Sequence, residues 1–385
     1  MTPAARLSAA ITVLDQVLAG QSAEHALTNW GRASRYAGSG DRAAVRDVVF
    51  DCLRCRRSFA ALGGAETGRG LVLGHLRAAG QDPAAVFTGE GHAPAMLTDQ
   101  DAPRVPTTLE AMDCPDWLEI RLRQSLVDDF SAVMAALRAR APVFLRVNLA
   151  RCDRARAQAA LAAEGIETVP HPLADTALEV TAGARKIQNS AAYLEGLVEL
   201  QDASSQAVVQ ALPLTDGLRV LDLCAGGGGK TLALAARARL KLFAHDADPR
   251  RMRDLPPRAT RAGAKVILTE TPEKTAPYDA ILTDVPCSGS GSWRRDPEGK
   301  WRLTAARLAD LTALQARIMD RAAAMVRPGG VLAYATCSLL AEENGHQVMA
   351  FVARTPGWQA EFFHSFNPLQ GGDGFFVAIL RAPKA

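Results

Sequence analysis

Residues 218–246 read Leu-Arg-Val-Leu-Asp-Leu-Cys-Ala-Gly-Gly-Gly-Gly-Lys-Thr-Leu-Ala-Leu-Ala-Ala-Arg-Ala-Arg-Leu-Lys-Leu-Phe-Ala-His-Asp. A short apolar run meets a glycine turn, a helical stretch follows, and a second apolar run ends in an acid. That is strand, turn, helix, strand. The pattern continues downstream. AKVIL at 264–268, YDAILTD at 278–284, VLAYATC at 331–337 and GFFVAILRA at 374–382 are strand-like. Leu308, Leu311, Leu314, Ile318, Ala322 and Met325 recur at helical spacing, and the turn RPGG precedes VLAYATC. Apolar strands alternating with helices predict a parallel sheet covered on both faces, an α/β, Rossmann-like domain. Ligands of such sheets sit beyond the C-terminal strand ends.

The turn Cys224-Ala225-Gly226-Gly227-Gly228-Gly229-Lys230-Thr231 admits three ligand readings. A phosphate-cradling Walker loop needs a glycine where Cys224 stands. A dinucleotide fingerprint needs a third glycine where Thr231 or Leu232 stands. The third reading is the turn of an S-adenosylmethionine (SAM) methyltransferase, where backbone approaches a nucleoside-linked amino acid and no pyrophosphate is cradled. Four glycines in a row cost conformational entropy unless backbone must approach something closely. An acid after the next strand would hold ribose hydroxyls. Asp246 stands there, with Asp248 a less well-placed alternative.

Two strand-like runs each end just before a cysteine: Thr283-Asp284-Val285-Pro286-Cys287 and Tyr334-Ala335-Thr336-Cys337. Carbon 5 of a pyrimidine is a poor nucleophile. A thiolate adding to carbon 6 makes carbon 5 electron-rich enough to accept a methyl group. An acid near ring N3 stabilises the adduct, and a base must then remove the carbon 5 proton. Cys337, Cys287 and Asp284 form a plausible set for these tasks.

These motifs resemble the RsmB/Nop/Sun family of RNA 5-methylcytosine methyltransferases, and within it the RsmB-like small-subunit rRNA enzymes. The family's Cys-Ala-Ala-Pro-Gly-Gly-Lys-Thr appears as residues 224–231 with two departures, and its Asp-Ala-Pro-Cys-Ser-Gly as Asp284-Val285-Pro286-Cys287-Ser288-Gly289. Arg294-Arg295-Asp296-Pro297-Glu298-Gly299-Lys300-Trp301, Tyr334-Ala335-Thr336-Cys337-Ser338 with Glu343-Asn344, and Gln201-Asp202-Ala203-Ser204-Ser205-Gln206 match further motifs. The resemblance covers about residues 115–385. It implies SAM as cofactor, held by Cys224, Ala225, Gly226, Gly227, Gly228, Gly229, Lys230 and Asp246. It implies Cys337 as nucleophile, Cys287 as the residue assisting release, and Asp284 at both the pyrimidine and the cofactor. Glu270, after the third strand, aligns with an acid near the adenine.

Upstream, three textures divide the chain at about 1–110, 111–205 and 206–385. The first is helical and Ala/Arg-rich. A helix ending near Gly20 is expected, then one N-capped by Asp41 with Val45, Val48, Cys52 and Cys55 on one face. SGDRAAVRDVVFDCLR resembles the NusB-like helical domain attached to RsmB enzymes, which implies RNA binding. Arg32, Arg35, Arg42, Arg46, Arg54, Arg56 and Arg57 would then bind phosphate, the alternative being a solvated surface. Gly89–Pro106 reads as a linker. PVFLRVN at 142–148 is a strand and 153–165 a helix, within a small α+β region that the resemblance assigns to RNA.

Bulk properties bound the rest. A net charge of +3 over 385 residues permits a polyanion partner without requiring one. Seven cysteines at irregular spacing argue against a disulfide framework and for a reducing compartment. Leu7, Ile11, Leu14 and Leu18 make the N-terminus helical, not a signal peptide. A cytoplasmic monomer without metal or membrane span is expected. Cys52 and Cys55 lack a second zinc-spaced pair and are assigned to the core, and Cys114 and Cys152 are also structural. Trp293 and Trp301 either stack on RNA or pack half-buried. Competing functions are a tRNA methyltransferase, an N-methyltransferase (Asp284-Val285-Pro286-Cys287 loosely matches Asp/Asn-Pro-Pro-aromatic, with cysteine replacing the aromatic) and a non-catalytic RNA-binding factor.

Overall fold

The computed structural model describes residues 1–384. The chain divides into two compact units, one of Met1–Arg140 with Trp293–Arg302, the other of Ala141–Ser292 with Leu303–Ala385.

The first unit is helical. Its helices include Pro3–Leu18, Ala23–Ala33, Ser39–Arg54, Arg56–Gly63 and Gly68–Ala78. Thr2, Ser22 and Thr67 cap three of them through side-chain oxygens. The helix Ala23–Ala33 was not expected. Asp41 is not an N-cap but the third residue of the next helix, where its carboxylate accepts from the Gly38 N–H at 3.1 Å. An acid at either position meets the free N–H groups of a first turn, so the capping signal alone misplaces the start by three residues. Val45, Val49, Cys52 and Leu53 are buried against Leu14 and Leu71, whereas Val48 is only partly buried. Burial pushes the Cys52 thiol well up and the Cys55 thiol to about 11, as expected of packing groups.

The seven arginines do not form one face. Arg46 is bidentate to Glu24 at 2.6 and 2.7 Å. Arg54 is buried on the Arg294 carbonyl at 2.8 Å, while Arg56 and Arg57 pair with Glu66 and Asp116. Arg42 donates to the Ala37 carbonyl. Arg32 and Arg35 are exposed and make no side-chain hydrogen bond or ion pair among the described residues. The stretch read as a linker is tied down, since Arg69 donates to the Ala95 and Met96 carbonyls and to Asp101.

Trp293–Arg302 belongs to this helical unit although the surrounding sequence is the α/β region. Lys300 Nζ donates to the Arg54 carbonyl at 3.1 Å and Trp301 Nε1 to the Leu53 carbonyl at 2.7 Å. Trp293 is 1% exposed. Its indole is therefore a packing group, and the stacking alternative does not hold for it.

The second unit carries two sheets. The smaller is antiparallel, in the order β2 (Glu167–Pro170), β3 (Ala177–Ala182), β1 (Val143–Val147), β4 (Val198–Leu200), with helix Arg154–Ala163 between β1 and β2. The larger has seven strands: β5 (Arg219–Asp222), β6 (Lys241–Ala244), β7 (Ile267–Leu268), β8 (Tyr278–Asp284), β9 (Val326–Thr336), β10 (Gln359–Phe366) and β11 (Phe375–Arg381). Their order is β10-β11-β9-β8-β5-β6-β7. The pairs from β9 through β7 are parallel, but β11 and β10 add antiparallel. Strand β10 leaves no strand signal in the sequence, because its residues are nearly all exposed and so lack a buried period. Helix Ala305–Ala323 ends before Met325. The order reverses between β5 and β8, the place where sheets of this kind bind ligands beyond their strand ends. Apolar clusters pack on both faces, one including Val220, Leu282, Ala333 and Val377, the other Leu221, Ile281, Leu332 and Phe376. No helix among the described residues is long and apolar enough to cross a membrane.

Candidate active site

Carboxylates stand at the ends of three adjacent strands. Asp222 closes β5, Asp246 follows β6 and Asp284 closes β8. Between them runs the glycine turn. Gly226 and Gly228 adopt positive φ, +50° and +82°. Asp246, 4% exposed, holds the turn by accepting from the Gly226 N–H at 2.9 Å. It also accepts from the Asp248 N–H and from Arg251. Asp248 itself caps a short turn and pairs with Arg250. A Cβ on Gly228 would lie 2.2 Å from Leu255 Cδ1, so this glycine is required by packing as well as by backbone conformation. Arg258 and Arg146 donate to the Gly227 and Gly229 carbonyls. Neither arginine was singled out in the sequence, because their partners are backbone atoms of a distant segment.

Asp222 was missed too. It is wholly buried, and burial pushes its carboxyl up to about 7. Thr231 Oγ1 donates to Oδ2 at 2.6 Å, while Oδ1 has no partner. Lys230 Nζ donates to Asp284 Oδ2 at 2.7 Å and lies 4.9 Å from the Phe375 ring centre. Burial presses the Lys230 ammonium down, Asp284 with Cys337 and Asp222 offsets this, and the net shift is upward. Two of the three carboxylates already carry a cation, Asp284 with Lys230 and Asp246 with Arg251, while Asp222 has none. The three suit a ligand rich in hydroxyl and ammonium donors, and the unpartnered Asp222 oxygen awaits such a donor. The chain's own residues therefore fit SAM.

Cys224 opens the turn with its thiol pushed up by burial, and Ala225 donates its N–H to the His245 carbonyl. Glu270 is exposed just past β7 and makes no hydrogen bond or ion pair among the described residues.

The two cysteines meet. Parallel pairing of β8 with β9 sets Asp284 opposite Ala335, so the following loops leave side by side. Cys287 Sγ and Cys337 Sγ are 3.4 Å apart, both partly exposed. Hydrogen bonding to Cys337, then burial, pushes the Cys287 thiol well up. The Gly291 N–H donates to the Cys337 carbonyl at 3.0 Å. Among the described residues no group of three or more His, Cys, Asp and Glu is arranged to hold a metal.

Comparison with known proteins places this geometry. Residues 209–381 match the family described as "16S rRNA methyltransferase RsmB/F", and residues 114–186 match "Methyltr_RsmF/B-like, ferredoxin-like domain". The ribosomal RNA small subunit methyltransferase B of Klebsiella pneumoniae is 36% identical over 284 residues, 69% of this chain and 65% of that protein's length. The chain thus spans about two thirds of that relative. The protein of the same name from Xanthomonas campestris is 34% identical over 312 residues, 75% of this chain and 71% of the relative. A crystal structure of a methyltransferase homolog protein from Pyrococcus horikoshii superposes with a TM-score of 0.63 at 25% identity, covering 71% of this chain and 97% of that one. With its glycine turn, strand-end acids and matched relatives taken together, the chain belongs to the RsmB/F family of SAM-dependent methyltransferases.

Proposed function

We propose that this protein methylates carbon 5 of a cytosine in RNA, with small-subunit ribosomal RNA as its substrate. The observation that carries this reading is the pair of thiols 3.4 Å apart beside the Lys230–Asp284 ion pair. A methyltransferase acting on a ring nitrogen or a hydroxyl needs no thiol, let alone two. SAM supplies an electrophilic methyl group when bound. Asp246 and the glycine turn would hold it, with Asp222 offering its free oxygen.

Cys337 adds as thiolate to carbon 6, forming the S–C bond while ring electrons move toward carbon 5. Asp284, oriented by Lys230, faces the pyrimidine and steadies the adduct. Cys287 is held as a neutral thiol chiefly by its contact with Cys337. Once Cys337 is a thioether it carries no charge, so the largest cause of that shift disappears. With the methyl group on carbon 5, Cys287, its own proton passed to solvent, takes the proton that carbon 5 still carries. The carbon 5–hydrogen electrons restore the ring double bond, and Cys337 leaves as thiolate.

Cys337→Ala should form no adduct and methylate nothing. Cys287→Ala should attack but not release, leaving a protein–RNA band that survives denaturing electrophoresis and is lost on RNase treatment. A band from Cys337→Ala instead exchanges the roles, and full activity in both variants refutes covalent catalysis. Within the arginine cluster, Arg32 and Arg35, exposed and without a side-chain partner among the described residues, are the candidates for RNA phosphate.

A further inference from the structure

Behind the two cysteine loops lies a carboxylate that the chemistry above does not use. Glu343 is fully buried. One oxygen accepts from the Ser288 N–H at 2.8 Å and from Gln315 Nε2 at 3.0 Å. The other accepts from Ser288 Oγ and Ser338 Oγ, each at 2.5 Å. Ser288 follows Cys287 and Ser338 follows Cys337 in the chain. Gln315, on helix Ala305–Ala323, also donates to the Pro286 carbonyl at 2.9 Å. The Glu343 carbonyl accepts from Tyr334 Oη at 2.6 Å, and the next residue, Asn344, accepts from Thr336 Oγ1 at 2.5 Å and donates to the Ser338 carbonyl at 2.9 Å. One side chain therefore ties together the loop after β8, the loop after β9 and a covering helix.

The donors on the Glu343 carboxylate, Ser288 N–H, Ser288 Oγ, Ser338 Oγ and Gln315 Nε2, are all neutral. An anion buried on neutral donors alone is costly, and a glutamine would bridge the same loops without that cost. The charge itself calls for an explanation, and its position supplies one. Glu343 touches the Cys287 loop through both the Ser288 N–H and Ser288 Oγ, but the Cys337 loop through Ser338 Oγ alone. Its charge is therefore seated against the Cys287 loop, where it helps to hold the Cys287 thiol up, after the contact with Cys337 and burial. We propose that Glu343 is a positioning residue which clamps both cysteine loops and, by placing its charge on the Cys287 side, reserves the role of nucleophile for Cys337. The groups facing Cys287 are Cys337, Glu343, the Tyr334 hydroxyl and the Gly289 N–H. Gln315, the contact from the helix, is neutral.

This inference rests on the two-thiol reading, but it can be tested without RNA or methyl transfer. The purified full-length protein is alkylated with iodoacetamide from pH 6 to 10, and each cysteine is followed by mass spectrometry. Thiolates, not thiols, react. Wild type should alkylate Cys337 well before Cys287. Glu343→Gln keeps the shape and removes the charge, so the Cys287 midpoint should fall by on the order of one pH unit and the preference for Cys337 should shrink about tenfold. Glu343→Asp should recover most of that preference. A folded Glu343→Gln protein with unchanged midpoints and preference overturns the proposal. If Glu343→Gln does not fold, Ser338→Ala decides. It keeps the charge but cuts the Cys337 loop's tether, and the preference should narrow by about threefold. No change there equally overturns it. Because alkylation is independent of substrate, this test can fail while the covalent adduct is still trapped, and the reverse.

Discussion

Asp246→Ala probes the cofactor side of the site in two ways at once. In the structure this nearly buried carboxylate accepts from Gly226 N, Asp248 N and Arg251, so it both shapes the glycine turn and, on the proposed reading, receives the ribose hydroxyls. A hydrogen bond to a charged group contributes about 1.5–3 kcal/mol. Losing the ribose contact should therefore weaken SAM roughly 10- to 150-fold. Leaving the buried Gly226 N–H without its acceptor should also destabilise the unliganded fold by about 1–3 kcal/mol. Asp246→Asn separates the two effects. Its amide oxygen can still accept from Gly226 N, so stability should stay near wild type while SAM affinity falls. Calorimetric titration with SAM, beside urea unfolding of each unliganded variant, measures both quantities. If folded Asp246→Ala binds SAM within about twofold of wild type, the assignment of Asp246 to the cofactor is wrong. If it unfolds at the wild-type midpoint, its hold on the turn is not energetically significant.

Two further outcomes follow from the same strand ends. Asp222 titrates at about 7 in the fold because it is buried, against roughly 4 when unfolded. Its contribution to stability is full below about pH 4 and lost as pH rises to 7, on the order of 4 kcal/mol. Asp222→Asn should flatten that part of the stability–pH curve in SAM-free protein, and parallel curves would show that Asp222 does not carry the dependence. Gly228→Ala combines φ of +82° with a 2.2 Å approach to Leu255. It should cost about 2–5 kcal/mol from backbone strain and overpacking together. Leu255→Ala in the same chain should recover part of this, and an unchanged denaturation midpoint in Gly228→Ala would contradict the packing argument.

Much of the α/β unit was legible because its signals are local. Strands β5, β6, β8, β9 and β11 are apolar enough to stand out, and the glycine turn and the two strand-end cysteines mark the reactive end of the sheet. Where burial is one-sided or absent, the signal faded. The exposed β10 has no buried period, and helix Ala23–Ala33 buries only Ala23, Ala26, Leu27 and Gly31, too small a set to draw an apolar stripe. The arginine cluster read as one feature in sequence. In space most of its members are committed to carboxylates or carbonyls within the helical unit, leaving Arg32 and Arg35.

By itself the sequence determined that a parallel sheet ends in a turn suited to SAM and that two cysteines follow neighbouring strands. Periodicity and turn chemistry act over a few residues, and both survive in one dimension. Only the tertiary structure decided that the two thiols, fifty residues apart in the chain, come within 3.4 Å, since that depends on the register Asp284 to Ala335. It alone joined Glu343 to Ser288 and Gln315, and the Gly227 and Gly229 carbonyls to Arg258 and Arg146. It also drew Trp293–Arg302 into the helical unit. Buried hydrogen bonds and electric fields act through space over a few ångströms, and the folded chain sets those distances with little regard to separation along it.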